Sequence, residues 1–221
     1  MIMNSPARRH QARVRAAMAA ASATPGRTMA GHRQYDLMLV KLTSDRRRLK
    51  EIQSVASKIE IKRQMLPDYA DYVSGVLEGG KGVQDDVLTN VLIWRIDVGD
   101  YAGALDIARY ALAHSMTLPD QYERSLPAAV AEQFAEAGLL ARMEGEQFPL
   151  HMLQEVEALT RQIDMHDQIR AKLHKALGYA LEASDKPAAL DMLRRAIALN
   201  DRVGVKKDIT RLEAELRSGA A

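Results

Sequence analysis

Residues 75–112 read GVLEGGKGVQDDVLTNVLIWRIDVGDYAGALDIARYAL, and this stretch decides the fold class. Its apolar residues recur at helical spacing, which predicts helices over 84–98 and 101–115 separated by Gly99 and Asp100. The same period continues along the chain and predicts further helices over 67–78, 127–143, 149–163, 166–183, 187–201 and 204–217. No segment shows the alternation of a half-buried strand. The predicted fold is therefore all-α.

The segment before this stretch predicts one long helix. From Tyr35 to Met65 apolar residues recur every three or four positions, and no proline or glycine interrupts them. The predicted helix covers 33–66, with coiled-coil-like packing, and ends at Pro67 because proline cannot continue the hydrogen-bond ladder. The predicted organisation is a basic flexible N-terminal arm over 1–32, the long basic helix over 33–66, an acidic helical body over 67–163 and a C-terminal helical hairpin over 166–221.

A weak internal repeat supports packed helical hairpins. GDYAGALDIARYAL, residues 99–112, resembles DKPAALDMLRRAIAL, residues 185–199, at a constant offset of 85 residues. Ala104 and Leu105 correspond to Ala189 and Leu190, and small residues of this kind let neighbouring helices approach closely. The offset is far from the repeat of about 34 residues in a tetratricopeptide array, so we expect hairpins rather than a solenoid.

Bulk composition limits the class of protein. The 221 residues are 47% apolar and 27% charged, which is typical of a globular domain. The absence of cysteine excludes disulfides, thiolate zinc sites and cysteine nucleophiles. The first residues are too polar for a signal peptide, and no apolar run is long enough to span a membrane. We therefore expect a cytosolic protein without a membrane partner.

The small net charge of +2 conceals a strong asymmetry. Residues 1–66 contain 14 Lys or Arg against 4 Asp or Glu, whereas residues 67–160 contain 5 against 16. A basic segment joined to an acidic body favours a polyanionic partner, with a solvated charged helix as the alternative. The candidate DNA contacts are Arg8, Arg9, Arg13, Arg15, Arg27, Arg33, Lys41, Arg46, Arg47, Arg48, Lys50, Lys58, Lys62 and Arg63.

GVLEGGKG, residues 75–82, is one residue short of a nucleotide-binding loop. Gly75, Gly80 and Lys81 fit G-x-x-x-x-G-K-[ST], but Gly82 replaces the hydroxyl residue that would hold magnesium. A phosphate loop also follows a buried strand, whereas the preceding residues have helical spacing. We interpret this stretch as the end of one helix and a turn before the next.

The acidic residues offer only weak candidates for catalysis. Asp68 followed by Glu78 and Lys81 resembles a metal-dependent nuclease signature, but both the spacing and the predicted helix differ from that signature. Asp85 and Asp86 are the other candidates, together with Asp97 and Asp100. Adjacent helical residues point about 100° apart, so Asp85 and Asp86 do not readily share one ion. Their simpler role is to complement the helix dipole, and we expect no metal site.

The aromatic residues also favour structural roles. The six histidines form no close metal-binding pair, so we expect surface or helix-cap positions for them. Trp94 lies in VLIWRI and is expected to be part of the core rather than a base-stacking platform.

Several quoted stretches together resemble a known family. They are SPARRHQARVRAAMAA at 5–20, YDLMLVKL at 35–42, VSGVLEGGKGVQDDVLTNVLIWRIDVGDYAGALDIARYAL at 73–112, RAKLHKALGYAL at 170–181 and GVKKDITRLEAEL at 204–216. These stretches, in this order along the chain, resemble the small terminase subunit of temperate contractile-tailed phages that package cohesive-ended DNA. The resemblance covers nearly the full length.

The resemblance implies a role in viral genome packaging in the cytoplasm of the bacterial host. Such subunits recognise the packaging site on concatemeric double-stranded DNA, form homo-oligomers such as rings, and recruit the large ATPase and nuclease subunit. The leading hypothesis is a recognition and assembly subunit without catalysis or cofactor, in which the C-terminal hairpin contacts the large subunit.

Two other hypotheses stay open. Because the family is described as an endonuclease component, the chain could cleave the cohesive-end site itself with Mg²⁺, through Asp85 and Asp86 or through Asp68, Glu78 and Lys81. A helical adaptor that binds only proteins is the third hypothesis, and it predicts no DNA affinity even at low salt.

Overall fold

The structure, a computed structural model, describes residues 5–24, 28–120 and 122–218. Within these residues the regular structure is helical, apart from an isolated parallel bridge between Thr28 and Gln84. The all-α prediction is confirmed. The α-helices are α1 Pro6–Ser22, α2 Arg33–Lys50, α3 Val55–Met65, α4 Ala70–Gly79, α5 Asp86–Asp97, α6 Tyr101–Ala113, α7 Leu126–Met143, α8 Leu150–Thr160, α9 Asp167–Leu181, α10 Lys186–Leu199 and α11 Lys206–Ser218.

The chain forms two compact units, Met1–Glu123 with α1–α6 and Arg124–Ala221 with α7–α11. The charge pattern gave no signal for this boundary, which falls inside the predicted acidic body, 67–163. The functional division into four segments stays a prediction.

The prediction of one uninterrupted helix over 33–66 is wrong. Helix α2 ends at Lys50, and α3 starts only at Val55. The side chain of Ser54 accepts the backbone N–H of Ser57 at 3.3 Å, which caps the new helix. A serine that can cap a helix therefore interrupts a segment that contains no proline or glycine. The prediction of coiled-coil-like packing rested on one long helix, and that helix is not present.

The predicted N-terminal arm contains a helix that packs closely on α4. Ala16 and Ala20 of α1 are buried. Ala16 lies against Gly75, and the backbone of Ala17 lies against Gly79. A Cβ atom placed on Gly79 would lie 2.6 Å from the carbonyl oxygen of Ala17, and one on Gly75 would overlap the Arg13 carbonyl. Because residues four apart share a helix face, these two glycines form the surface on which α1 rests. Helix α1 is thus docked on α4.

The internal repeat corresponds to equivalent helix starts in the two units. The Asp100 side chain accepts the Gly103 N–H at 3.0 Å, and the Asp185 side chain accepts the Ala188 N–H at 3.0 Å. Each aspartate caps the second helix of a packed pair, α5–α6 in the first unit and α9–α10 in the second. In the second pair, Gly178 lies against Leu193, which allows a close approach of α9 and α10. The hairpins are confirmed.

No helix among the described residues is both long enough and apolar enough to cross a membrane.

The α1–α4 contact can be tested with Gly75→Ala. Alanine improves helix propensity by about 1 kcal/mol, but its Cβ atom cannot fit against the backbone of α1. We expect a net loss of about 1–3 kcal/mol in the free energy of unfolding, measured by urea denaturation, because overpacking outweighs propensity.

Ser74→Ala, at the neighbouring half-buried position of α4, is the matched control and should leave stability unchanged or slightly higher. Equal stability of the Gly75→Ala protein and the wild type would contradict the close packing of these helices.

Candidate nucleic-acid interface

The first basic candidates, in α1, divide into two pairs. Arg9 forms an ion pair with Asp71 of α4 at 3.3 Å, and Arg13 forms one with Glu78 at 3.1 Å. These two arginines face α4 and help to hold α1 in place. Arg8 and Arg15 are exposed and have no ion-pair partner among the described residues. The sequence, in which all four look equivalent, does not reveal this division.

Several candidates of α2 and α3 are also engaged within the unit. Lys41 lies 2.9 Å from Asp45 and 3.0 Å from Asp68, and Lys62 contacts Asp97. In addition, Arg63 pairs with Glu60, and Arg46 has an interaction partner as well. A phosphate would have to compete with these partners, which makes these four basic residues poor primary contacts for DNA.

The accessible charge is concentrated at the α2–α3 corner, defined here as residues 47–58. Arg47, Arg48 and Lys50 are exposed, and within the described chain they have no ion-pair partner. Lys58, half-buried in the first turns of α3, likewise lacks one there. The arrangement places four cations around one exposed turn. Outside the corner, Arg33 at the start of α2 is exposed, and Arg27 lies outside the described residues.

The corner also exposes groups suited to contacts other than phosphate. Gln53, Ser54 and Ser57 are exposed polar residues, and Val55 is an apolar side chain with 71% of its surface accessible. Side chains of these types can contact base edges, and an apolar group can meet a thymine methyl group. A basic turn between two helices, with an exposed start to the second helix, can therefore carry both phosphate and base contacts.

The acidic candidate Asp85 has a structural role. It is fully buried, caps α5 by accepting the Leu88 N–H at 2.9 Å, and accepts the Tyr72 hydroxyl at 2.6 Å. Burial raises the pKa of the Asp85 carboxyl to about 6, although the hydrogen bond from Tyr72 acts in the opposite direction. The neighbouring Asp86 instead accepts a hydrogen bond from the side chain of Gln84 at 2.9 Å.

The other acidic groups are dispersed among cations. Asp68 pairs with Lys41, Glu78 pairs with Arg13, and Lys81 is exposed. Across residues 5–24, 28–120 and 122–218, no group of three or more His, Asp or Glu side chains is arranged to hold a metal ion. Asp68, Glu78 and Lys81, which have nuclease-like spacing in the sequence, therefore do not form one cluster in the fold.

The stretch that resembles a phosphate-binding loop has its own packing function. Gly75 and Gly79 support α1, and Gly80 lies against the hydroxyl of Tyr110. Gly82 has a φ of +76° and donates its N–H to the same hydroxyl at 2.9 Å. These glycines serve helix packing and a turn, and the residues before Gly80 belong to α4 rather than to a strand.

Two aromatic predictions have different outcomes. Trp94 is buried, with its ring edge-to-face against Tyr69 at 5.9 Å, which confirms a core position. His174 of α9 is buried, contrary to the expected surface or cap position, and burial lowers its pKa. The helical period of α9 contains the signal, since Ala171 and Leu177 share its buried face.

The sequence did not single out Gln84, which joins three segments. Its backbone oxygen accepts the Met29 N–H at 3.2 Å, and its side-chain oxygen accepts the Thr117 N–H at 3.0 Å. Its side-chain nitrogen donates to the Thr117 carbonyl at 3.0 Å as well as to Asp86. A glutamine before a helix has no distinctive sequence pattern, and only the fold reveals this role.

Comparison with known proteins gives a consistent result. A family model described as "Phage small terminase subunit" matches residues 39–168. Over 217 residues the chain is 47% identical to the "Terminase, endonuclease subunit" of Escherichia phage P2, covering 97% of this chain and 87% of that protein. It is 24% identical over 204 residues to the "Probable terminase, endonuclease subunit" of Haemophilus phage HP1, covering 84% and 73%. No solved structure matches the chain significantly.

The buried carboxyl of Asp85 predicts a specific pH dependence. Because its pKa is raised from 3.8 to about 6, the folded protein binds the proton more tightly than the unfolded chain does. The stability contributed by the protonated group is fully present below pH 4 and is lost as pH rises through 6. Asparagine keeps the helix cap without a charge, so stability of Asp85→Asn relative to wild type should rise by up to about 3 kcal/mol between pH 4 and pH 7.

Denaturant unfolding of both proteins across this range measures the difference. Asp86→Asn, at the adjacent half-buried carboxylate, is the control for the substitution itself. A constant difference between Asp85→Asn and wild type would exclude a desolvated carboxyl at this position.

Proposed function

Because the chain belongs to the phage small terminase subunit family, we propose that it recognises the packaging site on concatemeric viral DNA. In this role it acts in the cytoplasm of the bacterial host, binds double-stranded DNA at the cohesive-end site and associates with further copies of itself. It also recruits the large subunit that carries the ATPase and the nuclease.

The observation that supports DNA binding most strongly is the α2–α3 corner. Arg47, Arg48, Lys50 and Lys58 surround one exposed turn and have no ion-pair partner in the described part of the chain. Cations of this kind displace counterions from DNA phosphates, which gives affinity that depends strongly on salt. The exposed residues of the turn between them supply side chains for base recognition.

The proposed role is recognition without intrinsic catalysis or a cofactor. The two phage relatives are named endonuclease subunits, which keeps direct cleavage as the alternative. Asp85, however, has both carboxylate oxygens in internal hydrogen bonds, while Asp68 and Glu78 are each paired with a cation. We propose that the protein positions the nuclease of the large subunit on the DNA. Mg²⁺ would act in this chain only if the chain itself cleaved the DNA.

The C-terminal unit is the proposed contact for the large subunit. A cleft of about 870 Å³ lies between the α7–α8 loop and helices α9–α11. Its walls carry both signs of charge, since Arg142 and Arg211 lie 3.1 and 2.8 Å from Glu182. This cleft belongs in part to the hairpin over 166–221, and its mixed charge suits a protein partner better than it suits DNA.

The corner predicts a measurable salt effect. We expect Arg47→Gln combined with Arg48→Gln to weaken binding to a cohesive-end fragment and to reduce the salt slope by about 2, since each phosphate contact contributes about 0.9. Fluorescence anisotropy across salt concentrations measures both changes.

Arg9→Gln combined with Arg13→Gln removes the same charge from arginines that are paired with acids, and should leave the slope nearly unchanged. Equal slopes for the wild type and the corner variant would show that the phosphate contacts lie elsewhere.

Direct cleavage can be tested with the same fragment. The isolated protein with Mg²⁺ should bind the DNA without nicking it, and nicks should form when the large subunit is added. Nicking by the isolated wild type, lost in Asp85→Asn or Asp86→Asn and retained in Glu155→Gln, would establish the endonuclease alternative.

A further inference from the structure

The outward face of α1 combines apolar and basic side chains. At about 100° per residue, Val14 and Met18 lie opposite Ala16 and Ala20, which pack on α4. Val14 is 39% exposed and Met18 is 68% exposed. Arg8 and Arg15 lie along one edge of this face, and α1 contains no acidic residue. We call this surface, formed by Arg8, Val14, Arg15 and Met18, the α1 face.

The end of α7, in the second unit, also carries two exposed apolar side chains, and the charged residues beside them are acidic. Leu140 is 53% exposed and Met143 is 84% exposed, on the side of α7 turned away from the buried Phe134. Glu144 and Glu146 follow directly, and both are exposed without an ion-pair partner among the described residues. We call Leu140, Met143, Glu144 and Glu146 the α7 face.

We propose that the α1 face of one copy binds the α7 face of a second copy. Each face offers two large apolar side chains on one helix, which can be buried against each other. Basic groups border the first face and acidic groups the second, so their charges are complementary only when unlike faces meet. The inference rests on the self-association proposed above and identifies the surfaces that carry it.

The exposed apolar pair of α2, Leu37 and Val40, is a weaker candidate for this contact. Asp36 and Arg33 border it with opposite charges, so it offers no consistent match to the acidic α7 face. The same reasoning separates the α1 face from the DNA surface. Only two unpaired cations border the α1 face, beside Val14 and Met18, whereas four surround the α2–α3 corner. We assign Arg8 and Arg15 to a protein contact.

The contact joins two different surfaces and is therefore heterologous. Each copy that binds through its α1 face leaves its α7 face available for another copy, so association continues, and it ends in a ring where the rotation between copies closes. The proposal accounts for an oligomer in which every copy presents its own α2–α3 corner to DNA.

Charge reversal on the full-length protein tests the pairing directly. One variant carries Arg8→Glu with Arg15→Glu, and the other carries Glu144→Arg with Glu146→Arg. Each alone places like charges across the contact, and sedimentation velocity should show self-association weakened by about tenfold or more. An equimolar mixture restores opposite charges at every contact and should recover assemblies of wild-type size containing both variants.

Met18→Glu should weaken association in the same way, and Leu37→Glu, a matched change on α2, should not. Circular dichroism confirms that each variant is folded. A wild type that remains monomeric at every concentration, or a mixture that stays dissociated, would overturn the proposal.

DNA binding, measured separately for each variant, distinguishes this inference from the proposed function. Similar DNA affinities of the dissociated variants Arg8→Glu with Arg15→Glu and Met18→Glu support the separation of the two surfaces, because both lose the multivalent contact with DNA alike. Loss of DNA affinity in Arg8→Glu with Arg15→Glu, with association unchanged, would instead assign the α1 face to DNA.

Discussion

The first unit depends on the close approach of α1 to α4. Two glycines one helical turn apart, Gly75 and Gly79, leave room for the backbone of α1, and a side chain at either position would collide with it. This packing places Arg9 and Arg13 beside acidic residues of α4. It thereby pairs two positive charges with acidic side chains and leaves the remaining side of α1 facing solvent. One steric constraint thus divides a uniformly basic segment into a structural side and an accessible side.

The same constraint explains why a nucleotide-binding pattern occurs without its function. Gly75 and Gly80, which match the phosphate loop, are required by close packing against α1 and against Tyr110, and Gly82, at the mismatched position, forms a turn with a positive φ. Small residues are selected here because backbone and rings approach closely, not because a phosphate must. Asp85, which follows, is likewise occupied by a helix cap and by Tyr72. The acidic and glycine-rich features therefore stabilise the unit that presents the α2–α3 corner.

The sequence predicts the helices well where apolar spacing and glycine or proline signals agree, as in α5, α6 and the C-terminal hairpin. It failed between Lys50 and Val55, because the interruption depends on a local serine cap that competes with a continuous helical pattern. Charge identified the candidate DNA residues, but it did not show which of them are paired with acids and which are accessible. Arg9 is 62 residues from its partner Asp71, and pairing over such a separation is a property of the fold.

The family relationship and the corner support one account, in which DNA recognition is carried by unpaired cations at a turn between two helices. Hydrogen exchange of the full-length protein with and without a cohesive-end fragment tests this claim most directly, because it locates the contact without a substitution. The account predicts that bound DNA slows exchange mainly in the α2–α3 corner, residues 47–58. Slowed exchange confined to the C-terminal unit, with residues 47–58 unaffected, would contradict it.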